Sequence, residues 1–130
     1  MREILFRGKR LDNGEWVEGA YIMLEVDDGI YEHRIATSCL RGKNDEPLTV
    51  CADIVDPETI GQYTGLDDKN GVGIFEGDIW QYAGYIGTVE WEENKYTITF
   101  YSYDAMLTRE KAEKMSVIGN IYDNPELIRK

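Results

Sequence analysis

Two carboxylates flank a glycine in the short stretch IFEGDIW, residues 74–80. Glu76 and Asp78 are two positions apart, so on a β-strand both side chains would project from the same face. Paired carboxylates on one face suit general acid and base catalysis. The alternative is structural, because Gly77 between apolar runs is typical of a bend where a chain enters a strand. We favour this structural corner and predict no catalytic role for the pair.

The other reactive side chains form no recognisable catalytic or metal site. The chain has one histidine, His33, and two cysteines, Cys39 and Cys51, without C-x-x-C spacing. A zinc site would need a fourth ligand and a close ligand pair, and nothing such as a glycine-rich elbow supports a Cys–His nucleophile. Phosphate-binding, dinucleotide and serine-elbow motifs are missing from the sequence. We therefore predict a protein that is not an enzyme and that uses no cofactor or metal.

A calcium loop is the one metal motif that the sequence suggests. In the stretch LDDKNG, residues 66–71, the residues Asp68, Asn70 and Gly71 would occupy the third, fifth and sixth positions of an EF-hand loop. In that alignment Leu66 replaces the first ligand and Gly77 replaces the bidentate glutamate. Asn-Gly is also a preferred pair for a tight antiparallel turn. The sequence therefore predicts a hairpin turn here.

Aromatic residues are concentrated between Trp80 and Tyr103. At alternate strand positions they would form a platform for bases or a groove for a peptide, although part of the set must build the core. The acidic surroundings favour a peptide or protein partner. The residues predicted to form a candidate interaction surface are Glu76, Asp78, Trp80, Tyr82 and Trp91.

The formal net charge is −11, and it is unevenly distributed. The segment Asp56 to Glu93 carries nine acidic side chains and a single lysine. Surfaces that bind nucleic acid normally have an excess of lysine and arginine, so the composition argues against a nucleic-acid partner. The exception is a short basic segment at the N-terminus, containing Arg2, Arg7, Lys9 and Arg10.

The sequence also bears on location. The N-terminus MREILFRGKR has charges where a signal peptide needs an apolar core, and no apolar run approaches a membrane span. Two cysteines without a paired motif fit a reducing compartment, although a disulfide between Cys39 and Cys51 stays open. We expect a cytoplasmic protein without membrane association.

Turn signals recur along the chain and predict a mainly β, antiparallel fold. Asn13-Gly14, Asp28-Gly29 and Asn70-Gly71 each separate runs rich in β-branched and aromatic residues. A fourth hairpin is predicted around residues 92–94, between two alternating runs. Only residues 104–115, DAMLTREKAEKM, have helix formers and caps that predict a helix. After it, SVIGNIY is a strand candidate and DNPELI suits a closing turn with Pro125 in its first position.

Four blocks of the sequence together resemble the YopX family of phage and prophage proteins. They are FRGKRLDNGEWVEGAYI, VDPETIGQYTGLDDKNGVGIFEGDIWQY, GTVEWEENKY and VIGNIYDNPELI. The resemblance implies a small SH3-like barrel or roll, and a single domain over residues 1–130 in which an N-terminal hairpin region, 1–55, packs with a barrel core, 56–130. It implies no activity, catalytic residue or cofactor. Any specificity of this member is expected in the stretches Met23–Val50 and Asp104–Met115.

These observations lead to one preferred function and two alternatives. We expect a non-enzymatic phage or prophage accessory protein that acts through protein–protein contacts or as a homo-oligomer, since exposed hairpin edges must be covered or blunted. The first alternative is a nucleic-acid-related role, either binding through the basic N-terminus or mimicking DNA with the acidic segment. The second is an enzyme that uses Glu76 with Asp78, or Cys39 with His33.

Overall fold

The computed structural model describes residues 4–40, 49–92, 94–100 and 103–128. The chain divides into two compact units, Glu3–Gln62 and Tyr63–Lys130. This boundary lies a short distance beyond Val55, where the predicted hairpin region ends. The organisation of the chain as a single domain stays a prediction. Within the described ranges, no helix is both long and apolar enough to cross a bilayer.

The first unit is an antiparallel sheet with the strand order β4-β3-β2-β1-β5. Its elements are β1 (Phe6–Lys9), β2 (Trp16–Asp27), β3 (Ile30–Leu40), β4 (Thr49–Ile54), a 3-10 helix (Pro57–Thr59) and the start of β5 (Gly61–Asp67). The predicted hairpins at Asn13-Gly14 and Asp28-Gly29 are confirmed, since β1 pairs with β2 and β2 with β3 on either side of these turns. Ile35 and Val55 are its most deeply buried side chains.

The second unit contains the remainder of β5 and a five-stranded antiparallel sheet with the order β10-β9-β8-β7-β11. Its elements are β6 (Gly73–Phe75), β7 (Asp78–Tyr82), β8 (Tyr85–Glu92), β9 (Lys95–Phe100), β10 (Tyr103–Met106), α1 (Arg109–Ala112), β11 (Ser116–Asn120) and a 3-10 helix (Pro125–Leu127). Its core contains Ile74, Trp80, Val89, Tyr96, Ile98, Leu107, Ala112 and Met115.

The mainly β, antiparallel architecture is confirmed, as are several local predictions. β5 pairs with β6 across Asn70-Gly71, and β8 pairs with β9 across residues 93–94. The predicted strand after the helix is β11, and the closing turn is the 3-10 helix that begins at Pro125. The described strands do not close into a barrel, because β10 and β11 form the two edges of an open sheet.

The helix predicted for residues 104–115 is wrong in its extent. Residues 104–106 belong to β10, where Ala105 pairs with Ile98 of β9. The helix begins only after Thr108, whose extended backbone and side-chain Oγ1, which accepts a hydrogen bond from the Lys111 N–H, form an N-cap. Pairing with a distant strand therefore overrides the local helix propensity of this segment.

The sequence signals did not identify the turn between β7 and β8. Tyr82 pairs with Tyr85, so the loop consists of Ala83 and Gly84. Both residues have positive φ angles, 49° and 85°, which is the geometry of a type I′ turn. Alanine pays a steric cost in this region, whereas asparagine tolerates it.

Replacing Ala83 by asparagine is expected to raise the free energy of unfolding by about 0.5–1 kcal/mol, because Asn-Gly is a preferred pair for this turn. Urea unfolding followed by circular dichroism measures the change. As a control, Gly84→Ala should lower stability by about 1 kcal/mol, since it adds a Cβ at a positive φ. A lower stability of the Ala83→Asn variant would contradict the assignment of the turn.

Candidate functional site

The five residues of the predicted interaction surface have very different environments. Asp78 and Trp80 are buried, with exposed fractions of 1% and 3%. Glu76 is half-buried, whereas Tyr82 and Trp91 are 48% and 47% exposed. Asp78 and Trp80 therefore support this region from within, and Tyr82 and Trp91 are the members accessible to a partner.

The Glu76-Gly77-Asp78 segment is a corner between β6 and β7. The Asp78 Oδ2 accepts a hydrogen bond from the Phe75 N–H at 2.7 Å. Gly77, with a φ of 91°, donates its N–H to the carbonyl oxygen of Val89 and accepts the N–H of Ile121. The Asp78 carboxylate thus stabilises the turn in the interior of the protein.

The turn after β5 is organised in the same way by Asp68. Its Oδ1 accepts the N–H groups of Asn70 at 2.8 Å and Val72 at 2.9 Å, and its Oδ2 accepts that of Val117 at 2.8 Å. Burial raises the pKa of the carboxyl, but these backbone N–H groups and the charge of Lys69 outweigh it, so the Asp68 pKa is below its usual value. The carboxylate that suggested a calcium loop instead binds backbone amides, and the predicted hairpin turn is confirmed.

His33 and Cys51, two of the residues weighed as reactive groups, lie in the first unit. The His33 Nδ1 is 2.5 Å from the Tyr21 hydroxyl, and the two rings stack. Cys51 is a free, exposed thiol. The Cys39 side chain lies outside the described part of the structure. Over the described ranges, His, Cys, Asp and Glu side chains do not assemble into a set of three that would hold a metal ion.

A cavity of about 340 Å³ in the second unit is the strongest candidate site, and we call it the lysine-rimmed cavity. Its volume falls in the ~300–1,000 Å³ range of typical ligand sites. The lining residues are Trp80, Tyr82, Tyr85, Ile98, Ala105, Lys111, Lys114 and Met115. Apolar and aromatic side chains thus form most of the wall, and two lysines supply positive charge.

The sheet supplies the apolar and aromatic part of this wall. Trp80 and Tyr82 alternate along β7 and share a face, and Tyr82 pairs with Tyr85 across the turn. The Trp80 indole N–H donates to the carbonyl oxygen of Thr88 at 3.1 Å, which holds the ring in place. Ile98 and Ala105 extend the same wall on β9 and β10.

The short helix α1 and the turn after it position the lysines. Ala112 and Met115 are almost completely buried, so they anchor this segment. The Lys111 Nζ donates to the carbonyl oxygen of Met106 at 2.9 Å, and the Lys114 Nζ lies 3.6 Å from the Glu110 carboxylate. An ammonium group has three N–H donors, so both lysines retain the capacity to bind an anion. The cavity is therefore suited to a ligand with an apolar part beside a negative charge.

The sequence prediction found only part of this site. It placed Trp80 and Tyr82 in an interaction surface but did not include the lysines, because it assigned them to a longer helix over residues 104–115. The relevant signal was the pair of lysines beside buried apolar positions in a chain with a net charge of −11.

Two of the other three residues of the predicted surface line a second cavity, of about 220 Å³. Glu76 and Trp91 meet there with Glu90, Glu92 and Tyr122. Trp91 packs edge-on against Tyr96, with ring centroids 4.6 Å apart. Four residues of the predicted surface therefore divide between two cavities, one acidic and one with lysines, and Asp78 lines neither.

Antiparallel sheets define a small, mainly β protein, and an aromatic cavity is its candidate site. The chain belongs to the YopX family, because the family model described as YopX protein matches residues 5–129. The resemblance found in the sequence is thereby confirmed. A similar solved structure is the crystal structure of protein EF1440 from Enterococcus faecalis, with 26% sequence identity, coverage of 99% of this chain and 100% of that chain, and a TM-score of 0.64. Among curated proteins, none matches this chain.

Proposed function

We propose that this protein is a non-enzymatic binding module whose lysine-rimmed cavity recognises a segment of a protein with apolar side chains next to acidic ones. The observation that carries the proposal is the composition of the cavity wall, where Trp80, Tyr82 and Tyr85 lie close to Lys111 and Lys114. Burial of an apolar side chain provides most of the affinity in such a site. The lysines select for a neighbouring carboxylate.

The negative charge of the rest of the protein disfavours the binding of acidic segments outside the lysine-rimmed cavity. A net charge of −11 repels acidic ligands at long range, so an acidic segment must engage the lysines directly to bind. The repulsion is screened over about 10 Å at 0.1 M salt, whereas contacts inside the cavity are screened less. Binding is thus expected to depend on both the apolar and the charged parts of the ligand.

Family membership supports a setting in phages or prophages, where we propose that the protein acts as an accessory factor through contacts with a host protein, a phage protein or a second copy of itself. The proposal of a non-enzymatic role is supported by the burial of Asp78, whose carboxylate contributes to a turn. Neither Asp78 nor Asp68 presents its carboxylate to solvent.

The nucleic-acid alternative has less support. In the basic N-terminal segment, the Arg7 guanidinium lies 4.8 Å and the Lys9 ammonium 5.8 Å from the centroid of the Trp16 ring. Arg10 binds the Asp12 carboxylate at 2.7 Å, and this hydrogen bond raises the pKa of Arg10. Arg2 lies outside the described residues. These cations contact the protein's own side chains, so a phosphate backbone would have to compete for them.

A short capped peptide, isoleucine–aspartate–aspartate–valine, tests the proposed function. We expect it to shift the NMR signals of the Trp80 indole and of Tyr82 in a saturable way, and the variant Lys111→Glu/Lys114→Glu to weaken binding at least about tenfold because of like-charge repulsion. The control Lys95→Glu reverses the charge of an exposed lysine outside the cavity and should bind as the unmodified protein does.

Two further peptides separate the contributions of the ligand. Serine–aspartate–aspartate–serine keeps the charge without the apolar side chains, and isoleucine–lysine–lysine–valine keeps the apolar side chains with the opposite charge. Both should bind more weakly than the first peptide. Equal binding of all three, or absence of shifts at Trp80, would contradict the proposed site.

A further inference from the structure

The β2–β3 hairpin carries an unusual exposed apolar region. Between Met23 and Glu32 the two strands pair, among the described residues, only with each other. The exposed apolar residues of this part, which we call the hairpin arm (residues 23–31), are Met23, Leu24, Val26, Ile30 and Tyr31, with exposed fractions between 45% and 56%. A two-stranded ribbon is marginally stable in water, and several exposed apolar side chains close together in such a ribbon favour an interaction site.

The tip of the arm combines these apolar residues with negative charge. Asp27 pairs with Ile30, and a bulge between Glu25 and Asp27 leaves Val26 outside the ladder. Val26 and Ile30 therefore flank Asp27 and the turn at Asp28-Gly29. Both aspartates are exposed, and their hydrogen bonds are local to the turn. The tip is thus an acidic turn between two aliphatic side chains.

This chemistry is complementary to the lysine-rimmed cavity. The cavity offers an apolar and aromatic wall beside Lys111 and Lys114, and the tip offers Val26 and Ile30 beside two carboxylates. We propose that the tip of the hairpin arm of one copy inserts into the lysine-rimmed cavity of a second copy. The cavity then serves self-association of the protein. This inference rests on the proposed function, because it needs the cavity to bind an acidic, apolar segment.

The local match of charge between the tip and the cavity is the reason to favour a second copy as the occupant. Two copies with a net charge of −11 repel each other, so a stable contact requires a local match of opposite charge, and the cavity and the tip supply one. The contact joins different surfaces of the two copies. Reciprocal insertion closes a two-fold, isologous dimer, whereas insertion in one direction is heterologous and builds a ring or a chain of copies.

A charge exchange tests this contact. In light scattering coupled to size exclusion, we expect the unmodified protein to self-associate, and both Asp27→Lys/Asp28→Lys and Lys111→Glu/Lys114→Glu to weaken association at least about tenfold. A single chain carrying all four substitutions should associate again, because the charges of tip and cavity are exchanged together. The control Glu15→Lys/Glu58→Lys alters exposed acids outside the tip and should associate like the unmodified protein.

A second variant separates the apolar contribution, and circular dichroism confirms the fold of every variant. Val26→Ser/Ile30→Ser keeps the charges and should still weaken association. If the protein is monomeric while the isoleucine–aspartate–aspartate–valine peptide binds, the inference that a second copy occupies the cavity is wrong, and the proposed function is retained. If neither the peptide nor a second copy binds, both fail. Association that is unchanged by the tip and the cavity variants overturns the inference, since the contact then lies elsewhere.

Discussion

Replacing Gly87 by alanine is expected to lower the free energy of unfolding by about 3 kcal/mol or more, because overpacking against backbone cannot be relieved by a side-chain rotation. Gly87 pairs with Trp80 across β7 and β8. A Cβ at this position would clash with the Thr99 carbonyl oxygen on the neighbouring strand and would lie 2.6 Å from Cζ2 of Trp80. Either the β8–β9 pairing or the Trp80 ring must move.

The Gly87→Ala variant also tests the architecture of the lysine-rimmed cavity, since Trp80 forms part of its wall. Urea unfolding measures the stability, and Trp fluorescence reports on the environment of the ring. The matched control is Gly29→Ala, where the added Cβ has no neighbour within 4 Å and the cost comes only from a φ of 71°; it should be about 1 kcal/mol. Equal destabilisation by the two substitutions would contradict the close packing of Trp80 on Gly87.

Replacing Asp68 by alanine should destabilise the protein by about 3 kcal/mol, since hydrogen bonds to a charged group contribute about 1.5–3 kcal/mol each and are not additive. The substitution removes the acceptor for the N–H groups of Asn70, Val72 and Val117. The bond to Val117 joins the turn to β11, so its loss affects two distant segments of the chain.

The contribution of Asp68 should depend on pH in a defined direction. Because the folded-state pKa is below the value in the unfolded chain, the carboxylate stabilises the fold fully above the unfolded pKa of about 3.9. This stabilisation is lost as the pH falls through the folded-state pKa. The stability difference between the unmodified protein and Asp68→Ala should therefore be largest near neutral pH and decrease in acid.

Urea unfolding of both proteins over a series of pH values measures this effect. The control Asp68→Asn keeps one carbonyl oxygen as an acceptor but cannot ionise, so it should be intermediate in stability and should lose the pH dependence attributed to this residue. A stability difference that is constant from neutral pH into acid would show that the charge of Asp68 does not contribute.

The hairpins were predictable because their signals are local. Asn-Gly and Asp-Gly pairs tolerate tight turns through the conformational preferences of the residues themselves, and the turns at Asn13, Asp28 and Asn70 followed directly. The turn at Ala83 escaped prediction because alanine lacks this preference, and pairing of Tyr82 with Tyr85 imposes the positive φ on it. The helix prediction was wrong at residues 104–106 because pairing with another strand again decides the backbone conformation. These residues pair with β9 and form part of the sheet.

The candidate site was only partly predictable. Alternation placed Trp80 and Tyr82 on one face of a strand, but it does not tell how much of that face other elements cover. Packing buries Trp80 and leaves Tyr82 half exposed. Asp78 likewise was expected on a surface, and its place in the interior depends on the N–H of Phe75, which the turn presents to it.

By itself, the amino-acid sequence determined the mainly β class, most of the hairpins, the family and the excess of negative charge, because each depends on residue types or on neighbours within a few positions. Only the tertiary structure decided which acids are buried, where the helix begins, and that Lys111 and Lys114 meet Trp80, Tyr82 and Tyr85 around one cavity. Those outcomes depend on contacts between strands and a helix that are far apart in the chain. The free energy of such contacts cannot be read from a local sequence pattern.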